Sequence, residues 1–117
     1  MQEPDLSAAF ADVAGEFIGS AKTEVELDLL AAVAITAWNA AVRGEREAGE
    51  MISKFIDRFG CETLHVRGAV LDTRQKILEL SERKRELYPD AKAIIRRLEF
   101  QDLPDGLEFE VAEHDSA

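Results

Sequence analysis

Cys61 and His65 stand four residues apart, the spacing that brings two side chains together on one helical face. Such a pair suits either a thiolate–imidazole nucleophile or half of a zinc site. A zinc ion needs four ligands, or three and a water, and the chain's second histidine, His114, lies far off near the C-terminus. A Cys–His nucleophile needs an orienting group and an oxyanion hole that spacing alone does not supply. No metal ligand set and no catalytic residue is therefore nominated, and an incidental role for both side chains stands beside the chemical one.

Acidic pairs such as Glu24/Asp28 and Glu45/Glu47 have the spacing for shared-proton chemistry, but a chain with 24 acidic residues produces such pairs by composition. Glu24, Glu26 and Asp28 already have a role at a helix N-terminus, where negative charge opposes the helix dipole. Gly15 and Gly19 belong to an amphipathic helix rather than to a strand–helix turn, so no phosphate-cradling loop is read there. No cofactor is implied.

Two constellations remain. Trp38-Asn39 sits inside an apolar helix, where an unpaired amide costs about 1–3 kcal/mol. Either it lines a small polar pocket beside the indole, or the amide satisfies a neighbouring backbone group and Trp38 is core. Arg83, Lys84, Arg85, Lys92, Arg96 and Arg97 form the one sharp basic cluster. It reads as an anion or interaction surface. Alternatively its members oppose the helix dipole and pair with the chain's own Glu99, Glu108 and Glu110. Apart from Tyr88 it lacks the interleaved aromatics on which single-stranded bases stack.

Charge distribution sharpens this contrast. Residues 1–50 carry 3 basic and 10 acidic side chains, 51–73 carry 3 of each, 74–97 carry 8 basic and 4 acidic, and 98–117 carry 7 acidic and none basic. The total is −10. An acidic body with one basic segment suits charge-guided docking better than generic binding along a nucleic-acid backbone.

The elements that must position these residues are legible from period and punctuation. At 117 residues the chain has the length of one domain, residues 1–117, with 1–4 and 113–117 expected to fray. Asp5 caps a first helix in which Leu6, Phe10, Val13 and Phe17 share a face, ending at Gly19-Ser20. Thr23 and Glu26 form a capping box, and the helix they open is apolar on every side until Arg43-Gly44, which places it at the centre. Its apolar run, Leu29 to Val42, is too short for a membrane span, which needs roughly 20 residues.

A third helix starts near Glu45 with Ala48, Met51, Ile52, Phe55, Ile56 and Phe59 as its stripe and stops at Gly60. After an ambiguous stretch from Cys61 to His65, a fourth helix is expected from Val66 to Tyr88, with Val70, Ile77, Leu80 and Leu87 inward and Pro89 as the stop. The period then changes to two. Leu98 and Phe100, and Leu107, Phe109 and Val111, alternate with polar residues around Leu103-Pro104-Asp105-Gly106, the pattern of a β-hairpin.

The fold expected is α+β: four helices, the second apolar and central, with a C-terminal antiparallel hairpin packed on them. A lone cysteine and an acidic N-terminus without a signal-peptide pattern suggest a reducing, cytoplasmic setting. The function expected is that of a small non-catalytic protein-interaction or regulatory module, working through a protein partner or self-association at a hairpin edge. Binding of RNA or another polyanion through residues 83–97, and mimicry of nucleic acid by the acidic surface, are the alternatives.

Overall fold

The computed structural model describes residues 5–60, 62–66, 69–103 and 106–116, and of residues 101–103, 106–109 and Ser116 the backbone alone. The chain runs α1 (Leu6–Gly19), α2 (Glu24–Arg43), α3 (Glu45–Phe59), β1 (Thr63–Val66), β2 (Ala69–Asp72), α4 (Thr73–Leu87), β3 (Ala93–Leu103) and β4 (Gly106–Ser116). The architecture is the expected α+β one, with the C-terminal antiparallel pair packed on the helices.

The helix ends follow local chemistry. The Asp5 carboxylate accepts from the Ser7 amide at 3.2 Å. At α2 the capping box forms in full: Thr23 Oγ1 accepts from the Glu26 amide at 3.1 Å, and the Glu26 carboxylate accepts from the Thr23 and Lys22 amides. Gly44, at φ 95°, separates α2 from α3, and Gly60, at φ 61°, ends α3 in the left-handed region that a side chain would strain.

The α2 helix packs against α1, α3, α4 and β3, which explains why its sequence is apolar all round. Of residues 29–42, eight are buried and the other six half-buried. Phe10, Ile18, Val33, Trp38, Ile52, Leu64, Ile77 and Ile95 close the core, so nearly every element contributes to it. By length and composition α2 passes for a membrane-crossing helix, and its packing partners account for that apolarity.

Three expectations need correction. The fourth helix begins at Thr73, not Val66, because β1 and β2 pair antiparallel with Leu64 opposite Leu71 and His65 opposite Val70. In this pairing Leu64 is buried while Val70 stands exposed, so Val70 is not an inward helix residue. Leu87, on the last turn of α4, is also largely exposed. The helix start is set by Asp72, whose carboxylate accepts from the Gln75 amide at 3.0 Å.

The third correction concerns the C-terminus. Residues 113–116 do not fray: they pair with Ala93–Arg97. The expectations for residues 1–4, Ala117, the Pro104-Asp105 turn and the side chains of Leu107, Glu108 and Phe109 lie outside the described residues. Within reach of description, Leu98, Phe100 and Val111 pack on the core, and Glu99 and Glu110 are exposed. The β3–β4 register shifts on either side of Arg97, skipping Arg96 on one strand and Ala112 on the other. A bulge reverses the alternation of faces, so Ile95 and Leu98 both turn inward while Arg96 and Arg97 stay exposed between them.

Candidate functional site

Trp38 and Asn39 are adjacent on α2, about 100° apart around the helix, and both reach β3. Trp38 Nε1 donates to the Ala93 carbonyl at 2.9 Å. The Asn39 amide makes two bonds to one residue: Nδ2 donates to the Ile95 carbonyl at 2.9 Å, and Oδ1 accepts from the Ile95 amide at 2.8 Å. This dipeptide therefore holds the start of β3 in register against the central helix. Of the two readings open in the sequence, the structure realises the one in which the amide satisfies a neighbouring backbone.

The same contacts bear on the hairpin edges. A backbone amide has one proton, so the Ile95 amide, given to Asn39, takes no part in the β3–β4 ladder and points to the outer edge. On the other edge the Val111 amide donates to Ser7 Oγ of α1 at 3.0 Å. Both edges are thus occupied at these positions by helix side chains, one of the ways in which proteins block strand addition.

The basic cluster is divided by the fold. Arg96 pairs with Asp115, and Arg97 bridges Glu99 at 3.4 Å and Glu113 at 3.5 Å. These two arginines are neutralised within the hairpin, with Glu99 among the partners expected and Glu113 and Asp115 supplied by the paired C-terminal segment. Glu110 is not among their partners, and the side chain of Glu108 lies outside the described residues.

Lys84 departs furthest from expectation. A member of an anion or interaction surface would be open to solvent, but Lys84 is only 2% exposed. Its ammonium lies 5.2 Å from the Trp38 ring centre and donates to the Ala91 carbonyl at 2.5 Å. The physical reason is positional. Buried Ile77, Leu80, Ser81 and Lys84 share one side of α4, and the aliphatic stem of a lysine packs well against an indole. Burial first, then the charges of Lys92 and Arg85, hold its pKa below the usual lysine value, with Asp90 opposing.

The cluster's remaining cations are spread over the end of α4 and the lead into β3. Arg83 reaches α1, its Nε and Nη2 donating to the Asp12 carbonyl at 3.3 and 3.0 Å. The Asp12 carboxylate is engaged by the Tyr88 hydroxyl, and that hydrogen bond pushes the Tyr88 pKa up. Arg85 is half-buried and Lys92 exposed. Among the described residues no carboxylate forms an ion pair with Arg83, Lys84, Arg85 or Lys92, in contrast to Arg43, Lys54, Lys76, Arg96 and Arg97. Among the described residues the end of α4 and the lead into β3 therefore carry cations outside any ion pair, with Asp90 a nearby opposite charge.

The Cys61–His65 pairing loses its premise, since His65 lies exposed in a strand and helical spacing does not apply. Cys61 itself lies outside the described residues. His114 is exposed on β4 opposite Ile95. Among the described residues no three His, Cys, Asp or Glu side chains converge to hold a metal.

Other features carry little signal in the sequence. Thr73 and Ser81 are buried with hydroxyls that have no hydrogen-bond partner among the described residues. Asp12 ties α1 to the end of α4, a contact with no local signal. The Asp72-x-x-Gln75 spacing, a cap pattern directly before a helical period, was the available sign of where α4 begins. No family model matches this chain, and neither a curated protein nor a solved structure matches it.

Proposed function

We propose that this protein is a small non-catalytic interaction module that docks an acidic segment of a partner protein along the end of α4 and the lead into β3, through Arg83, Arg85 and Lys92. The observation that supports this reading is the contrast within one basic segment: Arg96 and Arg97 are ion-paired in their own hairpin, whereas these three have no carboxylate partner among the described residues. In a chain of net charge −10, cations held in no ion pair of their own remain open to an anionic partner. The patch is short, and Glu82, Glu86 and Asp90 lie near it in sequence, so a compact acidic segment suits it better than a long nucleic-acid backbone. Strand addition at the C-terminal hairpin is not the route we propose, because Asn39 and Ser7 occupy its edges.

The test compares a short labelled polyglutamate peptide with an oligouridylate RNA by fluorescence anisotropy. The peptide should bind the native protein, weaken with added salt, and lose binding to the R83Q/R85Q/K92Q variant, while R85Q/K92Q, which keeps the Arg83 bonds to α1, should weaken it with folding nearly unchanged. Tight RNA binding with a steep salt dependence, lost in the same variant, would move the protein to the polyanion-binding class.

A further inference from the structure

The two sheets are guarded differently. On the C-terminal hairpin Asn39 and Ser7 meet the edges, and the register shift breaks the ladder. The β1–β2 pair has no such cover. The Thr73 amide donates to the Glu62 carbonyl at 3.0 Å, so these two residues are a hydrogen-bonded pair that continues the β1–β2 register. Bonded and non-bonded pairs alternate along an antiparallel ladder, which makes Leu64 opposite Leu71 bonded and His65 opposite Val70 non-bonded. The amide and carbonyl of His65 therefore point away from β2, to the outer edge of β1. Among the described residues no element other than β2 packs along that strand.

The chemistry of this edge suits the addition of a strand. Thr63-Leu64-His65-Val66 contains neither a charge nor a proline, in a chain of which 32% of residues are charged. Edges that resist addition carry lysine, proline or a bulge. Leu64 is buried in the core and anchors β1 from below, while Val70, opposite His65 on the outward face, is 62% exposed.

We propose that β1 pairs antiparallel with β1 of a second copy of this chain, joining the two β1–β2 pairs into one four-stranded sheet across a two-fold axis. Charge favours this occupant. Two copies of net charge −10 repel over most of their surface, but residues 51–73, with three basic and three acidic side chains, are the neutral stretch. In the sequence Glu62 precedes β1 and Arg67 follows it, so antiparallel pairing of identical strands sets unlike ends together. A four-residue edge is small beside the roughly 1,200–2,000 Å² of stable interfaces, so the dimer is weak and concentration-dependent. The inference goes beyond the docking of an acidic segment and does not use the cations at the end of α4.

Sedimentation equilibrium of the full chain, up to about 1 mM for so small an interface, should show monomer passing to dimer. Added salt should strengthen association several-fold, because it screens the repulsion between two −10 chains while the paired strands are uncharged. This is opposite in sign to the effect expected for the acidic peptide. His65→Pro removes an amide that β2 does not use, so circular dichroism should stay native while the dimer is lost. Val70→Pro does the same at the outer edge of β2 and should leave the dimer in place. Amide exchange at His65 in the native chain should slow several-fold as protein concentration rises, a readout that needs no variant to fold.

A native chain that stays monomeric throughout, or a His65 amide whose exchange is independent of concentration, overturns the proposal. So does a dimer that survives in folded H65P. A dimer that weakens with salt and is lost in R85Q/K92Q overturns it as well, because the copies then meet through the basic segment and the acidic strands.

Discussion

The side-chain amide of Asn39 bonds both backbone groups of Ile95, at 2.9 and 2.8 Å, as a neighbouring strand would. The pairing falls just before the register shift at Arg96, so one buried amide anchors β3 next to the point where its faces reverse. Asn39→Leu keeps the volume roughly but leaves an amide and a carbonyl unpaired. We expect a loss of about 2–4 kcal/mol, from two buried groups at about 1–3 kcal/mol each, reduced by partial relaxation. Urea unfolding measures it, and a midpoint equal to that of the native protein would show that the amide clamp contributes nothing.

Trp38 joins the core to the same strand, with Phe10 at 5.9 Å between ring centres and Nε1 bonded to Ala93. Trp38→Ala should cost about 3–5 kcal/mol, in the range of large aromatic truncations. Native fluorescence should be blue-shifted and resist iodide, and ready quenching would contradict an indole that is 1% exposed.

Lys84 makes stability depend on pH in a direction that can be stated. Its pKa in the folded state lies below the unfolded value, so between the two the unfolded chain holds more protons. Stability must therefore rise with pH through that window, from the lowered folded value up to about 10.4. The fully charged side chain below the window carries the penalty of burial. Lys84→Met should remove this rise, seen as a smaller slope of unfolding free energy against pH. Equal slopes in the two proteins would contradict the burial of a charged amine.

Glu99 and Glu110 face each other directly across the hairpin, an unfavourable pair of like charges. Glu110→Lys converts it to an attractive one and should stabilise by about 0.5 kcal/mol, an effect that shrinks in high salt. Thermal melts at low and high ionic strength check both parts, and a lowered melting temperature at low salt would be the contrary result.

Removing residues 113–117 should be strongly destabilising, because residues 113–116 pair with the stretch of β3 that Trp38 and Asn39 hold. Circular dichroism of the truncated chain tests this. A truncation as stable as the full chain would restore the picture of a frayed end.

What could be read in the sequence shares one property: short range. The Asp5 cap, the Thr23–Glu26 capping box and the glycines at 44 and 60 act within one helical turn, so residue order alone fixes them. The central place of α2 follows from its uniform apolarity, which several neighbours must cover. Where local signals competed, the reading failed. Residues 63–72 carry apolar side chains compatible with both periods, and only pairing of Leu64 with Leu71, with a cap at Asp72, turns them into a hairpin.

The candidate site was decided at long range. Asn39 and Ile95 are 56 residues apart, Asp12 and Tyr88 76, and Ser7 and Val111 104. Six cations formed one cluster in the sequence. Their fates diverged because Arg96 and Arg97 entered a hairpin rich in acids, Lys84 turned onto the buried side of α4, Arg83 reached the Asp12 carbonyl of α1, and Arg85 and Lys92 form no ion pair among the described residues. Residue type sets how much charge a segment carries. Which of those charges is buried, paired or left facing solvent depends on what the rest of the chain packs beside it, because solvation and Coulomb energies vary steeply over a few ångströms.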